Sequence, residues 1–502
     1  MNNKKFIIIG AGIAGLSAGC YLQMNGYSTE IFELHNIPGG LCTGWKRKGY
    51  TFDGCIHWLC GSKPGNELHT IWEELGALQG KTIVDHEIFN YTELENGDAF
   101  SVYSNVDALE KEMLRFAPGD EAVIKDFIKA VRTCRNIDMP ALKAQELYGV
   151  ADGLKLAFKG MGTLRLMNKW GKVPIEDFEK RFTTPLLNQN FAKLFGMPGN
   201  MPMFALIFTL ALLDAKNAGY PVGGSLEFAR SIEKRYISLG GKIRYGSRVE
   251  KILHSNGKAV GIKLADNSEQ PGDIVISAAD GHYTIYNMLD GKFVNDEIEG
   301  YYKNYKLFPP IIQVSLGIAR KFEGIPDAVT LHIPLKEKLY VDPQNTRDEL
   351  SIKIYSFDPT LAPGGKTALV TFFEADYDYW VKLKQQDPQK YSAEKERVAK
   401  SVIAALEARY GGIEENIAVV DVATPDTYVR YTNNWMGSFE GFLPTVDNFM
   451  KNHKKTLPGL ENFYMIGQWV QPGGGLPTGA MHGRHLAQLI CKKDGKKFEA
   501  AK

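Results

Sequence analysis

The sequence predicts an α/β fold built on a parallel sheet and interrupted by a second, discontinuous α+β unit, and three observations predict it. Lys5–Ile9 is a continuous β-branched and aromatic run that breaks into glycines at positions 10, 12 and 15. Ser28–Phe32 has strand composition and ends on Glu33. Far down the chain, Phe463–Ile466 reads as a short strand followed at once by the glycine-dense stretch GQWVQPGGGLPTG.

The first run lacks polar alternation, as a central parallel strand buried on both faces does. Leu16–Leu22 beyond the glycines reads as a helix. In such a turn Gly10 allows the tight bend, Gly12 lets backbone approach a pyrophosphate and Gly15 lets helix pack on strand, while the helix N-terminus offers N–H groups and partial positive charge. Glu33 stands about twenty residues further on, the separation expected of a carboxylate that holds a ribose hydroxyl. Strand, turn, helix, strand and terminal acid thus fall in the order of a Rossmann-like dinucleotide unit. This turn by itself serves NAD or FAD.

The rest of the chain is read in the same way. Pro38-Gly39-Gly40 makes a turn, Trp45–Phe52 a hairpin-like run, and Phe52, Ile56 and Trp58 a half-buried strand pattern. Ile88–Ser104 alternates around Asn96-Gly97-Asp98 and predicts a strand pair. Residues 106–215 are mainly helical in pattern. From Tyr220 the nucleotide-domain pattern returns, with a helix over Leu226–Leu239, strands near Ile243 and Val249, further strands at Ala259–Leu264 and Asp273–Ile276, and a helix opened by Ala278-Ala279-Asp280. Ile311–Ile318, Ser351–Ser356 and Thr367–Phe373 predict an antiparallel sheet shared with Ile88–Ser104. The expected units are 1–87, 216–300 and 422–502 for the nucleotide, and 88–215 and 301–421 for the substrate.

The 502 residues carry 59 basic and 58 acidic side chains, so no global field draws nucleic acid, which is set aside as a partner. Six scattered cysteines read as reduced thiols of a cytoplasmic protein. Cys42, Cys55 and Cys60 lie near His57, yet their spacing is not that of a zinc site, and buried thiols rather than a metal are expected. The opening residues do not have the pattern of a signal peptide, and neither Phe6–Leu22 nor Met203–Leu213 has the length of a membrane span. Residues 154–172, LKLAFKGMGTLRLMNKWGK, mix Lys155, Lys159, Arg165, Lys169 and Lys172 with apolar side chains. They read either as a helix dipping into the inner face of an anionic membrane or as an ordinary amphipathic helix weakened by Gly160 and Gly162.

The distant glycine turn decides between cofactors. Glycine at this density is needed where backbone passes close to something flat, and a helix follows it with its positive end pointing back. A flavin uses such an end, because reduction leaves negative charge near N1 and the C2 carbonyl. FAD is therefore the expected cofactor.

The chain resembles the phytoene desaturase family of FAD-dependent, amine-oxidase-like proteins, which includes carotenoid isomerases and retinol saturases. The matching stretches are GAGIAGLSAG, IFELHNIPGG, GYTFDGCIHW, GGSLEFARSIEKRYISLGGKIRYGSRVEKI, DIVISAADGHYTIYNML and IGQWVQPGGGLPTGAMHGRHLAQLI, in the family's order. Ile56-His57 is closer to the retinol saturase type. Leu41 stands where many relatives carry a basic residue, and the usual Asp-x-Gly appears as Asp53-Gly54-Cys55.

The resemblance implies a glutathione-reductase-like FAD domain and places Gly10, Gly12, Ala14 and Gly15 at the pyrophosphate and Glu33 at the ribose. It places Gly39, Gly40 and Leu41 beneath the cofactor, Val249 and Ala278 near the adenine half, and Gly467, Gly474, Gly475, Leu476 and Thr478 along the ribityl chain and ring. Ile56 and His57 would face the substrate, with His57 the candidate proton donor because imidazole titrates near neutrality. His482 and His485 read as packing residues.

The implied activity moves a hydride between flavin N5 and a carbon–carbon bond of a long apolar polyene, as saturase, desaturase or isomerase. Phe191, Leu194, Phe195, Met201, Met203, Phe204 and Phe208 are expected either to line its tunnel or to form core. Electrons would pass to or from a quinone, oxygen or a reductase. The alternatives are an amine or porphyrinogen oxidase with a polar pocket, and a flavoprotein without enzymatic turnover.

Overall fold

The computed structural model of the chain describes residues 4–500 except 136, 138 and 450; the side chains of residues 151 and 154–161 are likewise outside the description. A five-stranded parallel sheet runs in the order Lys242–Arg244, Ser28–Phe32, Lys5–Ile9, Ile274–Ser277, Phe463–Met465. Its central strand explains its own composition. Phe6 and Ile8 enter one apolar cluster with Ile31, whereas Ile7 and Ile9 enter another with Phe32 and Val275. Alternate residues are buried on opposite faces, so no position is left for a polar side chain.

The helix Ile13–Met24 covers one face, flanked by Gly224–Ser238 and by the terminal helix Gly475–Lys493. The antiparallel strands Val249–Ser255, Lys258–Leu264 and Glu269–Pro271 cover part of the other.

A second sheet has seven strands, ordered Ile417–Ala423, Ile311–Ile318, Thr367–Glu374, Asn345–Ile354, Ala328–Asp342, Ile88–Glu93, Ala99–Tyr103. The expected antiparallel sheet is in fact mixed: Ala328–Asp342 runs parallel to Ile88–Glu93, with Ala328 opposite Ile88 and Thr330 opposite Asn90. Between these two strands the chain makes the whole helical layer and returns through the five-stranded sheet, a connection long enough to re-enter in the same direction. Residues 106–214 supply that layer, and its core is an aromatic stack in which Phe191 and Phe195 lie 4.3 Å apart.

Three local expectations differ from the structure. The strand predicted through Trp58 stops at Asp53, because that carboxylate captures the Cys55 N–H. Ala278-Ala279-Asp280 forms a loop rather than a helical turn; Asp280 accepts from Tyr283 N, and a short π-helix, Tyr283–Met288, follows. The terminal helix starts at Gly475, four residues earlier than Gly479.

Val150–Trp170 is one helix through Gly160 and Gly162. Lys169 on it pairs with Asp126 at 2.6 Å, while Lys155 and Lys159 belong to the segment whose side chains lie outside the description. Among the described residues no helix is long and apolar enough to cross a membrane.

Candidate functional site

Both glycine turns leave the same end of the parallel sheet. At the first, Gly10 (φ 96°) donates its N–H to Phe32 O at 2.8 Å, and Ile9 O accepts from Ala278 N at 2.9 Å. A Cβ on Gly15 would overlap Gly10 O, whereas a Cβ on Gly12 would meet only Gly39 O, at 3.9 Å. Gly12 thus borders open space rather than protein. The helix that starts here has no side-chain cap and no acidic residue in its first turn. Its leading N–H groups therefore remain available to an anion. Gly39 N donates to Ala11 O at 2.8 Å, and Gly40 (φ 61°) would place a Cβ 3.4 Å from Gly12 Cα. Leu41 follows, half-buried.

Glu33 stands beyond the second strand and is 6% exposed. Its carboxylate accepts from Ala11 N at 2.6 Å and from His35 N at 2.8 Å. Burial raises its pKa, against the pull of these backbone donors. Ser247 N donates to Glu33 O at 2.8 Å, which brings the strand of Val249 to the same edge; Val249 itself is buried opposite Leu264.

The distant turn meets this one directly. Ile466 N donates to Ser277 O at 3.0 Å, and a Cβ on Gly467 (φ 102°) would sit 3.4 Å from Ala14 Cβ. Ser17 Oγ donates to Ala480 O at 2.7 Å, and Gly483 packs so closely on Ala18 N that a Cβ there would overlap it. The terminal helix also begins without a side-chain cap or an acidic first turn. Leu476 and Thr478 lie in that first turn, half-buried, after Gly474 and Gly475. Gly10, Gly12, Ala14, Gly15, Glu33, Gly39, Gly40, Ala278 and Gly467 are therefore linked through short contacts. Gly474, Gly475, Leu476 and Thr478 continue the same turn, and Val249 stands further out.

His482, read from sequence as packing, pins this turn. Its Nδ1 accepts from Gly467 N at 3.3 Å, and its Nε2 is 3.1 Å from Gln471 Oε1. Burial lowers its pKa to about 3, which keeps Nδ1 an acceptor. His485 Nε2 lies 2.6 Å from Ala141 O.

Ile56 and His57 are placed by a buried polar hub that sequence reasoning missed. Asp53 accepts from Ser225 N at 2.8 Å, Tyr220 OH at 3.0 Å and Cys55 N at 3.0 Å, and Ser225 Oγ in turn accepts from Ile56 N at 2.7 Å. From the second sheet, Lys353 Nζ donates to Ile56 O and His57 O, each at 3.2 Å, and lies over the rings of Tyr220 and Tyr355. Burial lowers the Lys353 pKa to about 7, opposed by Asp53 and Cys55. The His57 ring lies deep beside Phe372, 5.3 Å between centroids, yet keeps accessible surface. Burial, then Lys353, lowers its pKa to about 3. At neutral pH it offers a neutral N–H rather than an imidazolium proton.

Trp58, Phe204, Phe208 and Phe439 are half-buried and pack against the helical core, whereas Phe191, Leu194, Phe195, Met201 and Met203 are wholly inside that core. Of the residues expected to line a tunnel or form core, only the phenylalanines at 204 and 208 keep accessible surface. Among the described residues no three His, Cys, Asp or Glu side chains are placed to hold a metal ion, and the six cysteines are free.

Residues 13–491 match the profile of the family described as "Flavin containing amine oxidoreductase". The prolycopene isomerase of Arabidopsis thaliana is 24% identical over 97% of this chain and 83% of its own. The neurosporene-forming phytoene desaturase of Cereibacter sphaeroides is 24% identical over 94% of this chain and 91% of its own. Among solved structures, an oxidoreductase from Methanosarcina mazei superposes with TM-score 0.62 at 18% identity, covering 96% of this chain and all of that one. A putrescine oxidase bound to putrescine gives 0.60 at 12%, covering 97% and 99%.

Proposed function

The chain belongs to the flavin containing amine oxidoreductase family, whose members carry FAD, and from that premise we propose that it acts on a carbon–carbon bond of a long apolar polyene. The observation that supports this most is the convergence of the two glycine turns, where a Cβ on Gly467 would sit 3.4 Å from Ala14 Cβ, in a chain that also keeps several aromatic side chains half-buried. Two helix starts there are uncapped and Gly12 has room beside it, while Trp58, Phe204, Phe208 and Phe439 are half-buried aromatics packed on the helical core. Relatives named for isomerising prolycopene and desaturating phytoene align over nearly the full length.

The residues fit the cofactor. The first helix start and the Gly10–Gly15 turn would hold the pyrophosphate, Glu33 the ribose, and the turn from Gly467 to Thr478 the ribityl chain and ring. Residues 1–87, 216–300 and 422–502 would form the holding unit, and 88–215 with 301–421 the substrate unit. Bound there, the flavin supplies hydride transfer at N5.

The chain's own part is orientation and exclusion of water. Asp53, Ser225 and Lys353 fix the Ile56–His57 backbone from three elements, so the His57 ring is presented at a set angle. Its neutral N–H is suited to orienting a substrate, and the half-buried aromatic side chains would supply apolar surface on which a polyene desolvates.

The test is anaerobic mixing of the FAD-loaded protein, oxidised and reduced, with a panel of polyenes while the visible flavin absorption is followed. Bleaching of the oxidised form indicates desaturation, and reoxidation of the reduced form saturation. A changed polyene spectrum with the flavin unchanged indicates isomerisation. If no polyene alters either spectrum, the reading fails.

A further inference from the structure

Glu440 is a carboxyl group in the wrong kind of place for a structural one. The segment that carries it lies against the distant glycine turn: Gly473 N donates to Phe442 O at 3.0 Å, and a Cβ on Gly475 would sit 2.9 Å from Glu440 Oε1. The preceding Phe439 packs on the helical core with Trp58 and Cys60. Glu440 therefore stands beside the glycine turn, one residue from an aromatic side chain packed on the helical core.

The residue is deep in the protein yet not wholly enclosed. Among the described residues its carboxyl has no hydrogen-bond or ion-pair partner. The titratable group that feels its charge is the Cys60 thiol, itself pushed up to about 12, mainly by burial. Among the described residues no cation pairs with it, and burial raises its own pKa to about 7.

A buried polar group left unpaired costs more than an apolar group of the same shape. A ligand that is hydrocarbon along its whole length would cover this carboxyl and leave it without a partner. A ligand with one polar group at the right place would satisfy it. We propose that Glu440 is a substrate-recognition group whose carboxyl pairs with a hydroxyl carried by an otherwise apolar substrate. A hydroxyl suits either protonation state, since it accepts from the neutral acid and donates to the carboxylate. A carbonyl accepts from the acid alone. The assignment rests on the apolar-substrate reading above and narrows it to long-chain alcohols.

The test compares binding of geranylgeraniol, of the C20 hydrocarbon lacking its hydroxyl, and of geranylgeranylamine to the FAD-loaded protein in one detergent. Wild type, Glu440→Gln and Glu440→Leu are measured side by side. The alcohol-to-hydrocarbon ratio of affinities is expected to fall about tenfold in E440L and to stay within about threefold in E440Q, whose amide can still pair. Taking the ratio within each protein removes differences in partition between ligands. Hydrocarbon binding equal to alcohol binding, and unmoved by E440L, overturns the hydroxyl assignment while leaving the apolar reading intact. An amine bound more tightly than the alcohol, with the preference lost in E440Q, overturns it in favour of cation recognition. Failure of all three to bind wild type defeats the apolar reading itself.

Discussion

Lys353 holds His57 by its backbone: the buried ammonium nitrogen donates to the His57 carbonyl at 3.2 Å and to that of Ile56 at the same distance. The interaction crosses from the seven-stranded sheet to the turn that follows Asp53, so the angle of the imidazole depends on a residue almost three hundred positions away.

Lys353→Met removes both donors and strands two carbonyls, a loss of about 1–3 kcal/mol. It also removes a titration. The Lys353 pKa is near 7 in the fold and about 10.4 when unfolded, so between these values the unfolded chain binds the extra proton and stability rises with pH. Thermal midpoints measured from pH 7 to 10 are expected to show a component of that rise in wild type that is missing in K353M. Hydrogen exchange at residues 56–58 is expected to quicken in the variant.

Gly12→Ala separates folding from cofactor binding. Gly12 has φ −68°, which alanine adopts freely, and its Cβ would touch nothing in the protein closer than 3.9 Å. The flavin-free variant is expected to unfold within about 0.5 kcal/mol of wild type. The added methyl enters the space where the pyrophosphate would approach the backbone, so FAD affinity is expected to fall at least about tenfold. Gly15→Ala should instead damage the fold, because its Cβ would overlap Gly10 O. Equilibrium unfolding of the apoprotein and FAD titration of both variants check the contrast.

What the sequence revealed follows from which residues carry their own reason. Gly10, Gly15 and Glu33 were legible because a tight turn and a strand-end acid need those residue types at that spacing, and Gly467 because glycine density is costly without a ligand. Lys353 was not. It occupies an alternating strand as a lysine, a residue that is ordinarily exposed, and only the fold shows that the inward position faces two carbonyls. Asp53 was visible as part of a turn, but its partners Tyr220 and Ser225 are more than 160 residues away in sequence. Ala328–Asp342 was missed as a strand because its apolar positions are broken by Lys336, Glu337 and Lys338, which project at an irregular part of the ladder. His482 gave a weak signal: a histidine on the buried face of a helix just after a glycine turn.

Acid is expected to destabilise the fold above the range where ordinary carboxylates titrate. Burial lowers His57 and His482 to about 3, and His453 and His485 to about 4, so below pH 6.5 the unfolded chain binds protons at four sites that the fold refuses. Glu440 and Asp280, raised to about 7, and Glu33 act the other way, since the fold holds their protons more tightly. His35, His86 and His282 are lowered as well and Asp85 is raised, so the lowered histidines outnumber the raised carboxyls and stability should fall as pH drops from 6 to 5. Glu440→Gln removes one opposing site and is expected to steepen that fall. Urea midpoints at half-unit pH steps give the slope.

A buried ion pair anchors the terminal helix. Glu74 accepts from Arg484 Nε at 2.8 Å and Nη2 at 3.1 Å and from Tyr21 OH at 2.6 Å, with both charged side chains under a tenth exposed. One carboxylate thus ties together the helix of Tyr21, the helix of Glu74 and the helix that begins at Gly475. Glu74→Ala leaves a buried guanidinium without its countercharge and should cost about 3–5 kcal/mol. Replacing both charged residues with leucine removes the desolvation burden along with the pair, and the double variant is expected to recover most of that loss. The proposed placement of the cofactor between the two helix starts makes the measurement sharper. Tyr21 lies on the helix that starts at Ile13, and Arg484 on the one that starts at Gly475. FAD affinity in Glu74→Ala should therefore fall together with stability, whereas in the double leucine variant both should return toward wild type. A double variant that regains stability and still fails to hold FAD would show that the charges, and not the packing of the two helices, set the geometry of the site.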